Sequence, residues 1–392
     1  MPVLINCAFF LHFSILSLYA GYKSIYDRKI IGKKRDLGKS RGFAVISRNF
    51  TRYIINKAVD RALHEMKQEK HVKRELRNIV ELGLFHSKES YHRNFFSSVQ
   101  QMLTDEQSPY YSLAFGAAEH INAHMLKTFG VNIGYNAWTI GAQRIREYER
   151  YAGCSVPWAI QFDFSGHSAN PLTLQEISGI IAQGRELGIY SFFFLCGGDS
   201  RDVWGWIGDL MSRFSDCVFV LFAKAQDIRP LDCSVFLEAG NGMPVVAYAP
   251  GEEDYQAVVG RFRKKRCLYS IYLEYGQKGV QQLLDSYTAQ AQVMPPVTFL
   301  LRRNPCGEED AAQMQDFVEA VRLQPQYPTF FVDFYRDVAR VGSIISNDSS
   351  LLTIDGGGGV FITPGGTPAA DIRRYELSAL LKSLFPNPIA CT

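Results

Sequence analysis

Residues 156–164 read Val-Pro-Trp-Ala-Ile-Gln-Phe-Asp-Phe, an apolar run that opens the part of the sequence that decides the fold. Thr173 and Glu176 then form a capping box, which predicts the start of a helix that ends at Gly188. From Tyr190 to Leu195 nearly every residue is again apolar or aromatic. Short buried strands that alternate with helices are typical of a parallel sheet covered by helices.

This alternation of apolar runs and helical patterns continues to about residue 323. Further strands are predicted at 217–222, 244–248, 267–273 and 297–301. Six strand–helix units fit an open barrel better than a closed barrel of eight. We therefore predict an α/β fold whose central domain, residues 154–328, is a partial (β/α)6 TIM-like barrel.

The segments on either side of the barrel carry other patterns. Residues 51–153 have apolar positions at three- and four-residue spacing, which predicts a helical N-terminal region. Residues 329–392 combine a short apolar run, a hairpin pattern at 351–363 and a terminal helix from about Ile372 to Leu384. We predict that they form a small C-terminal α+β extension.

The N-terminal end has the features of a membrane tether. Residues 1–22 carry no charged side chain and are mostly apolar over about the length of a bilayer span. Residues 23–57 carry a net charge of +9, which leaves −6 for the remainder of a chain with a total of +3. We predict a membrane anchor at 1–22, a basic juxtamembrane linker at 23–50, and contact of residues 23–57 with an anionic membrane surface.

The positive-inside rule then places the body in the cytoplasm, with the N-terminus outside and the C-terminus inside. The alternatives to an anchor are an apolar helix packed on the body and a start codon placed too early.

Composition excludes several classes of protein. Hydrophobic residues make up 47% of the chain and charged residues 21%, which excludes a wholly disordered protein. A single long apolar segment excludes a polytopic membrane protein, and a net charge of +3 gives no reason to expect nucleic acid as a partner. The eight cysteines contain no Cys-x-x-Cys pair, and His120 and His124 do not complete a His-Glu-x-x-His motif, so we assign no metal site.

Four runs carry a resemblance to a known family: Ile-Gly-Tyr-Asn-Ala-Trp-Thr-Ile-Gly (133–141), Val-Pro-Trp-Ala-Ile (156–160), Gln-Gly-Arg-Glu-Leu-Gly-Ile-Tyr (183–190) and Gly-Gly-Asp (197–199). Together they resemble the radical S-adenosylmethionine (radical SAM) superfamily, most closely its members with a SPASM-type C-terminal extension. In that family the loop after the first strand carries Cys-x3-Cys-x2-Cys, whose thiolates hold a 4Fe–4S cluster.

The corresponding loop in this sequence, Ser165 to Leu172, contains no cysteine. The extension likewise has none at 342–343 or 359–362, where the resemblance implies ligands of auxiliary clusters. The sequence therefore indicates a degenerate member that lacks the iron–sulfur motif. We expect no 4Fe–4S cluster and no radical SAM catalysis, and whether the chain is another kind of enzyme stays open.

The resemblance implies a site for part of the cofactor. Gly197, Gly198 and Asp199 stand where the family has Gly-Gly-Glu-Pro, whose backbone contacts the amino group of S-adenosylmethionine. These three residues are therefore candidates for binding that molecule, and no other cofactor is predicted. The alternative is a tight turn in which Asp199 caps the next helix.

Polar residues at the ends of other predicted strands are further candidates. Asp163 and His167 are candidate catalytic residues, because a histidine near a carboxylate can act as a general base. Lys224, Glu274 and Arg302 follow three other strands and would line the same end of the barrel. The simpler interpretation is an ordinary set of polar strand ends with a surface histidine.

One charged run stands apart from these candidates. Residues 261–266 read Arg-Phe-Arg-Lys-Lys-Arg, with five basic residues in six positions. Such a run fits contact with RNA, an anionic lipid or an acidic partner. It also fits a solvated helix end, where cations complement the helix dipole.

Two functions are consistent with these features of the sequence. The first is a cluster-free pseudoenzyme that acts as an accessory or binding subunit, with an intact radical SAM enzyme or its substrate as partner. The second is a non-radical enzyme, or a protein that binds S-adenosylmethionine or another small nucleotide, at the same end of the barrel. A scaffold by itself does not fix the chemistry it supports.

Overall fold

The structure is a computed structural model. It describes residues 52, 56–86, 97, 100–101, 103–197, 201–228, 231–276, 280–289, 295–303, 306–323, 327–346, 351–362 and 366–386. The predicted anchor at 1–22, the linker at 23–50 and the candidates Gly198 and Asp199 lie outside the described residues.

The body is a mixed α/β fold built on one mostly parallel sheet. Its described strands are β1 (Ala159–Phe164), β2 (Ser191–Cys196), β3 (Val218–Ala223), β4 (Gly242–Ala247), β5 (Ser270–Tyr275), β6 (Val297–Arg302), β7 (Phe330–Asp333), β8 (Leu352–Asp355), β9 (Gly359–Phe361) and β10 (Ala370–Asp371). The order across the sheet is β10-β9-β8-β1-β2-β3-β4-β5-β6-β7. Strands β1 to β8 are parallel, and β9 and β10 are antiparallel.

Helices precede the sheet and connect its strands. They are α1 (Glu69–His86), α2 (Pro109–His120), α3 (Ala123–Val131), a π-helix (Asn132–Gly141), α4 (Ala142–Ala152), α5 (Leu174–Leu187), α6 (Arg201–Arg213), α7 (Ala225–Ile228), α8 (Ser234–Ala239), α9 (Glu253–Lys264), α10 (Val280–Thr288), α11 (Glu308–Leu323), α12 (Phe334–Ile345), a 3-10 turn (Ile372–Arg374) and α13 (Leu377–Leu384). Residues 56–66 are also helical. None of the helices in the described part of the chain has both the length and the apolar character that crossing a bilayer requires.

The six strands predicted for the barrel are β1 to β6, and the predicted hairpin is formed by β8 and β9. The sheet continues past these six strands at both edges. β7 continues the parallel order after β6, and β8 pairs with the free side of β1, where Asp163 lies opposite Asp355. The C-terminal extension therefore shares one sheet with the central domain.

The sheet is strongly curved. Phe222 on β3 and Phe299 on β6 have ring centroids 5.2 Å apart, although three strand spacings in a flat sheet amount to about 14 Å. Phe334, the first residue of α12, lies between these rings at 5.0 and 6.2 Å. We call this inner side, which Phe193, Phe222 and Phe299 share, the concave face.

Four helical segments close the sheet at the amino ends of its strands, and we call them the basal helices: α2, α3, the π-helix and α4. The Asn132 side chain donates to the carbonyls of Ser215 and Cys217, which precede β3, at 2.8 and 2.9 Å. The π-helix also ends against the turn before β2, because a Cβ on Gly141 would lie 2.4 Å from the Gly188 carbonyl oxygen. The base of the sheet is thus fixed by polar and close backbone contacts.

Candidate functional site

The candidate site lies at the carboxyl end of the concave face, where polar side chains collect. Side chains alternate along each strand, so Asp163 shares the face of Phe193, and Glu274 shares the face of Tyr272 and Phe299. Tyr335, the second residue of α12, lies near both Asp163 and Glu274. We call the region lined by Asp163, Tyr272, Glu274 and Tyr335 the mouth.

The Asp163 carboxylate is held by the turn that follows β1. Its Oδ1 accepts hydrogen bonds from the backbone N of Ser165 at 2.9 Å and from the Ser165 hydroxyl at 2.5 Å. Ser165 thus fixes the orientation of this carboxylate, and His167 is exposed in the same loop. The predicted roles of Asp163 and His167 as catalytic residues stay predictions.

The loop at residues 165–172 is fastened to the C-terminal extension. Arg373 donates to the carbonyl oxygen of Asn170 at 3.0 Å, to that of Gly357 at 2.5 Å, and to Glu176 Oε1 at 2.6 Å. The backbone N of Leu172 donates to the Gly356 carbonyl at 2.7 Å. The segment that would carry cluster ligands by resemblance is therefore short and tied down at its C-terminal half.

Gly197 has a packing role that its position in the sequence did not reveal. Its backbone N donates to the Phe164 carbonyl at 3.3 Å, and a Cβ at this position would lie 2.9 Å from both the Cα and the carbonyl oxygen of Ser165. A glycine is therefore needed where the ends of β1 and β2 approach each other. Gly198 and Asp199 lie outside the described residues, so their predicted role stays a prediction.

The structure places the other three candidates, Glu274, Arg302 and Lys224, in three different environments. Glu274 is exposed at the mouth and forms an ion pair with Arg303. Arg302 lies opposite Tyr275 in the parallel register, so strand alternation turns it to the convex side, away from Glu274. The prediction of Arg302 as a mouth residue is thus corrected to Arg303, because the strand ends one residue later than the apolar run predicted. Lys224 is exposed directly after β3.

Two tyrosines at the mouth were not among the residues predicted from the sequence. Burial raises the pKa of Tyr335 to about 12, and the Asp163 carboxylate adds to that rise. Burial also raises the pKa of Tyr272, with Glu274 as the next cause. Both phenols therefore remain protonated near neutral pH and can donate hydrogen bonds. The only signal for Tyr335 in the sequence was its place in a Phe-Tyr pair that follows the apolar run of β7.

The centre of the concave face is filled by α12. The Phe334 ring contacts Phe193 edge to face at 4.9 Å, and the indole Nε1 of Trp158 donates to the Val338 carbonyl at 2.9 Å. Helix α12 thus reaches from the β6 side of the sheet to the β1 side. In the described ranges, no three His, Cys, Asp or Glu side chains gather closely enough to hold a metal ion.

Comparisons with known proteins give fold likeness only. No protein-family model matches the chain, and no curated protein matches it. Among solved structures, the chain is similar to Streptococcus suis SuiB bound to S-adenosylmethionine, with a TM-score of 0.44 and 10% identity over 68% of this chain and 70% of that chain. SuiB bound to the precursor peptide SuiA gives 0.46 and 9% over 68% and 71%, and a further SuiB structure gives 0.45 and 10% over 80% and 82%. Likeness of this extent establishes no activity for this chain.

Proposed function

We propose that the chain is a cluster-free, radical-SAM-like pseudoenzyme that acts as an accessory or binding subunit. The observation that carries this proposal is the occupation of the concave face by the protein's own side chains. Phe334 packs among Phe193, Phe222 and Phe299, and Tyr335 lies over them at the mouth. A cofactor placed at the centre of this face would have to displace a packed aromatic ring.

The scaffold we propose is a partial TIM-like barrel. Strands β1 to β7 pair in chain order, and the contact of Phe222 with Phe299 requires a strong curvature of the sheet between them. Helix α12 packs on the concave face, where Phe334 contacts residues of β2, β3 and β6. These features support the barrel interpretation and a degenerate family member.

The chemistry of the loop after β1 also supports loss of the cluster. A 4Fe–4S cluster needs soft thiolate ligands, and Ser165 to Leu172 supplies none. The nearest thiol in the sheet, Cys196, is buried at the end of β2. The resemblance-derived cluster site therefore has no donor set that fits an iron–sulfur cluster.

The partner we propose is an intact radical SAM enzyme or its substrate. Tyr151 and Tyr375 are the exposed large hydrophobic residues of the described part of the chain, at 78% and 55% exposure. Tyrosine is enriched at protein interfaces because it offers a large apolar area and one hydrogen bond. Replacing both by Ser should weaken co-purification with such an enzyme while leaving the melting temperature of this chain unchanged.

Calorimetric titration of S-adenosylmethionine into the full chain tests the proposal. We expect no binding heat up to a ligand concentration of about 1 mM, and no 5′-deoxyadenosine after anaerobic incubation with iron, sulfide and a reductant. Micromolar binding to the native chain that is lost in Asp199→Ala would reject the pseudoenzyme in favour of the alternative.

That alternative is a non-radical enzyme, or a protein that binds S-adenosylmethionine or another small nucleotide. It is favoured by the polar lining of the mouth, where Tyr272 and Tyr335 are neutral donors beside the Asp163 and Glu274 carboxylates. Asp163→Asn should then abolish an activity without lowering the melting temperature.

The proposed location is a cytoplasmic body tethered by residues 1–22, with residues 23–57 on an anionic leaflet. The apolar run and the +9 charge that follows it support this proposal. Flotation of the full chain with neutral phosphatidylcholine vesicles tests it, since an inserted anchor needs no anionic lipid.

A further inference from the structure

A second basic surface lies far along the chain from the N-terminal tail. Arg263, Lys264, Lys265 and Arg266 are four consecutive cations at the end of α9, and all four are exposed. We call these four residues the basic turn. They stand on a body whose residues 58–392 carry a net charge of −6, so the local charge opposes that of its surroundings.

The conformation of the basic turn is well defined. The backbone N of Cys267 donates to the Phe262 carbonyl at 2.9 Å, and that of Arg266 donates to the Arg263 carbonyl at 3.0 Å, which is a Schellman-type helix end. Arg266 has a φ of 56°, the one positive φ outside glycine among the described residues. Helices α4, α5 and α8 end with glycine in this conformation instead.

Two bonds lock this turn onto the basal helices. The backbone N of Asn122, at the start of α3, donates to the Arg266 carbonyl at 2.7 Å. The Arg266 guanidinium donates to the carbonyl oxygen of Glu119 at the end of α2. These contacts offset the strain at Arg266, and they hold Arg263, Lys264 and Lys265 in fixed positions on the surface.

The carboxylates near the basic turn have other partners. Glu119 lies 3.6 Å from His120 Nε2, and Asp232 accepts hydrogen bonds from the backbone N and the hydroxyl of Ser234. Lys265 lowers the pKa of Asp232 only through its charge at a longer distance. No described carboxylate forms an ion pair with the three projecting cations, so their charge is available to a ligand.

The first described helical segment, residues 56–66, lies on the side of the basic turn. Asp60, in the helical segment 56–66, pairs with Lys127 on α3 at 2.8 Å. Lys127 lies only about 8 Å along the helix axis from Asn122, which touches Arg266. The helical segment 56–66, which directly follows the basic stretch in the sequence, therefore lies close to the basic turn.

We propose that the basic turn is a second contact with an anionic membrane, formed by phosphatidylserine-type headgroups on Arg263, Lys264 and Lys265. The inference rests on the proposed tether. Lipid fits better than single-stranded RNA, because the aromatic residue nearest the turn on β5's side, Tyr269, is buried and offers no face for base stacking. The contact directs the amino ends of the strands toward the membrane and the mouth toward the cytoplasm.

Lysine acetylation of the full chain on vesicles, read by mass spectrometry, tests this orientation. The vesicles are phosphatidylcholine alone or phosphatidylcholine with about 30% phosphatidylserine. We expect acetylation of Lys264 and Lys265 to slow at least about fivefold on the anionic vesicles, and about 0.5 M NaCl to remove that protection. Lys224, which lies at the opposite end of the strands, is the internal control and should react equally on both.

The charge-reversed variant Arg263→Glu/Lys264→Glu/Lys265→Glu provides a second readout, with Lys224→Glu/Arg302→Glu/Arg374→Glu, exposed positions at the carboxyl ends of the strands, as a control of equal net charge. Only the first should reduce the gain in flotation that phosphatidylserine adds over phosphatidylcholine alone. Equal acetylation on both vesicles, with binding to both, overturns the turn contact and keeps the tether. Binding to anionic vesicles alone, with Lys264 and Lys265 protected, rejects the inserted anchor and keeps the turn contact. Protection by polyuridylate or polyglutamate but not by vesicles overturns the lipid assignment.

Discussion

Phe334 and Phe193 meet edge to face with ring centroids 4.9 Å apart, although one follows β7 and the other lies on β2. The contact joins the two sides of the curved sheet through its interior. It explains how the sheet keeps its curvature without pairing of β7 to β8 in the described part of the chain, because α12 supplies the packing that hydrogen bonds would otherwise provide. The same contact places an aromatic ring at the centre of the concave face.

Truncation of this aromatic ring should be costly. Phe334→Ala removes a side chain with no exposed surface that touches three strands, and large-to-small changes of this kind cost about 3 to 5 kcal/mol. Urea unfolding followed by fluorescence measures the loss. Tyr375→Ala, at a residue with 55% exposure, is the control and should change stability by less than about 0.5 kcal/mol. Equal effects of the two changes would mean that α12 does not fill the concave face.

The buried ion pair between Arg322 and Asp337 should be the more sensitive of two ion pairs. Arg322 donates to both carboxylate oxygens, at 3.2 and 2.6 Å, and the side chains are 1% and 5% exposed. Asp337→Asn leaves a buried guanidinium without its counter-charge, so we expect a loss of about 3 to 5 kcal/mol. Glu106→Gln breaks the exposed pairs with Lys73 and Arg77 and should lower the melting temperature far less, because water screens exposed charges. Thermal unfolding of both variants makes the comparison.

Asp333 should make stability depend on pH in an unusual direction. Burial, together with the Asp337 charge, raises its pKa to about 6, above the value of about 3.9 for a free carboxyl. Between these two values the native state holds a proton that the unfolded chain releases, so the contribution of Asp333 to stability falls as the pH rises through this window.

The variant Asp333→Asn isolates that contribution. At pH 7 it should be more stable than the native chain by about 2 to 3 kcal/mol, because a neutral amide replaces a disfavoured charge and still accepts from the Tyr275 hydroxyl. At pH 4 the difference should vanish. Asp316→Asn, at an exposed position on α11, is the matched control. Melting temperatures at the two pH values decide, and a gain at pH 4 equal to that at pH 7 would contradict the assignment.

Arg373 should control the mobility of the loop after β1. Its guanidinium bonds to the Asn170 and Gly357 carbonyls and to Glu176, so Arg373→Ala removes three hydrogen bonds, two of which join the extension to this loop and to α5. We expect amide hydrogen exchange at residues 165–172 to accelerate about tenfold or more. Arg374→Ala, at a side chain that is 77% exposed, is the matched control. Unchanged exchange in Arg373→Ala would show that the loop is held by its own contacts alone.

The strands and helices of the central domain follow from local sequence. Six apolar runs predicted β1 to β6, and the capping box of Thr173 and Glu176 is present with both of its reciprocal bonds. Gly188 ends α5 with a φ of 106°, as its position after the helical pattern predicted. Such features depend on neighbours a few residues away, so periodicity and capping chemistry are enough to find them.

The candidate site depended on contacts that no local pattern encodes. Arg303 rather than Arg302 meets Glu274, because one residue of strand length changes the face on which a side chain lies. Tyr335 reaches the mouth only because α12 packs into the concave face, and Asp355 stands beside Asp163 only because β8 crosses to the far edge of β1. The sequence by itself determined which segments form strands and helices and that the loop after β1 has no thiolates. The tertiary structure alone decided which side chains share the mouth, since pairing and packing join residues that lie as far as about 190 positions apart in the chain.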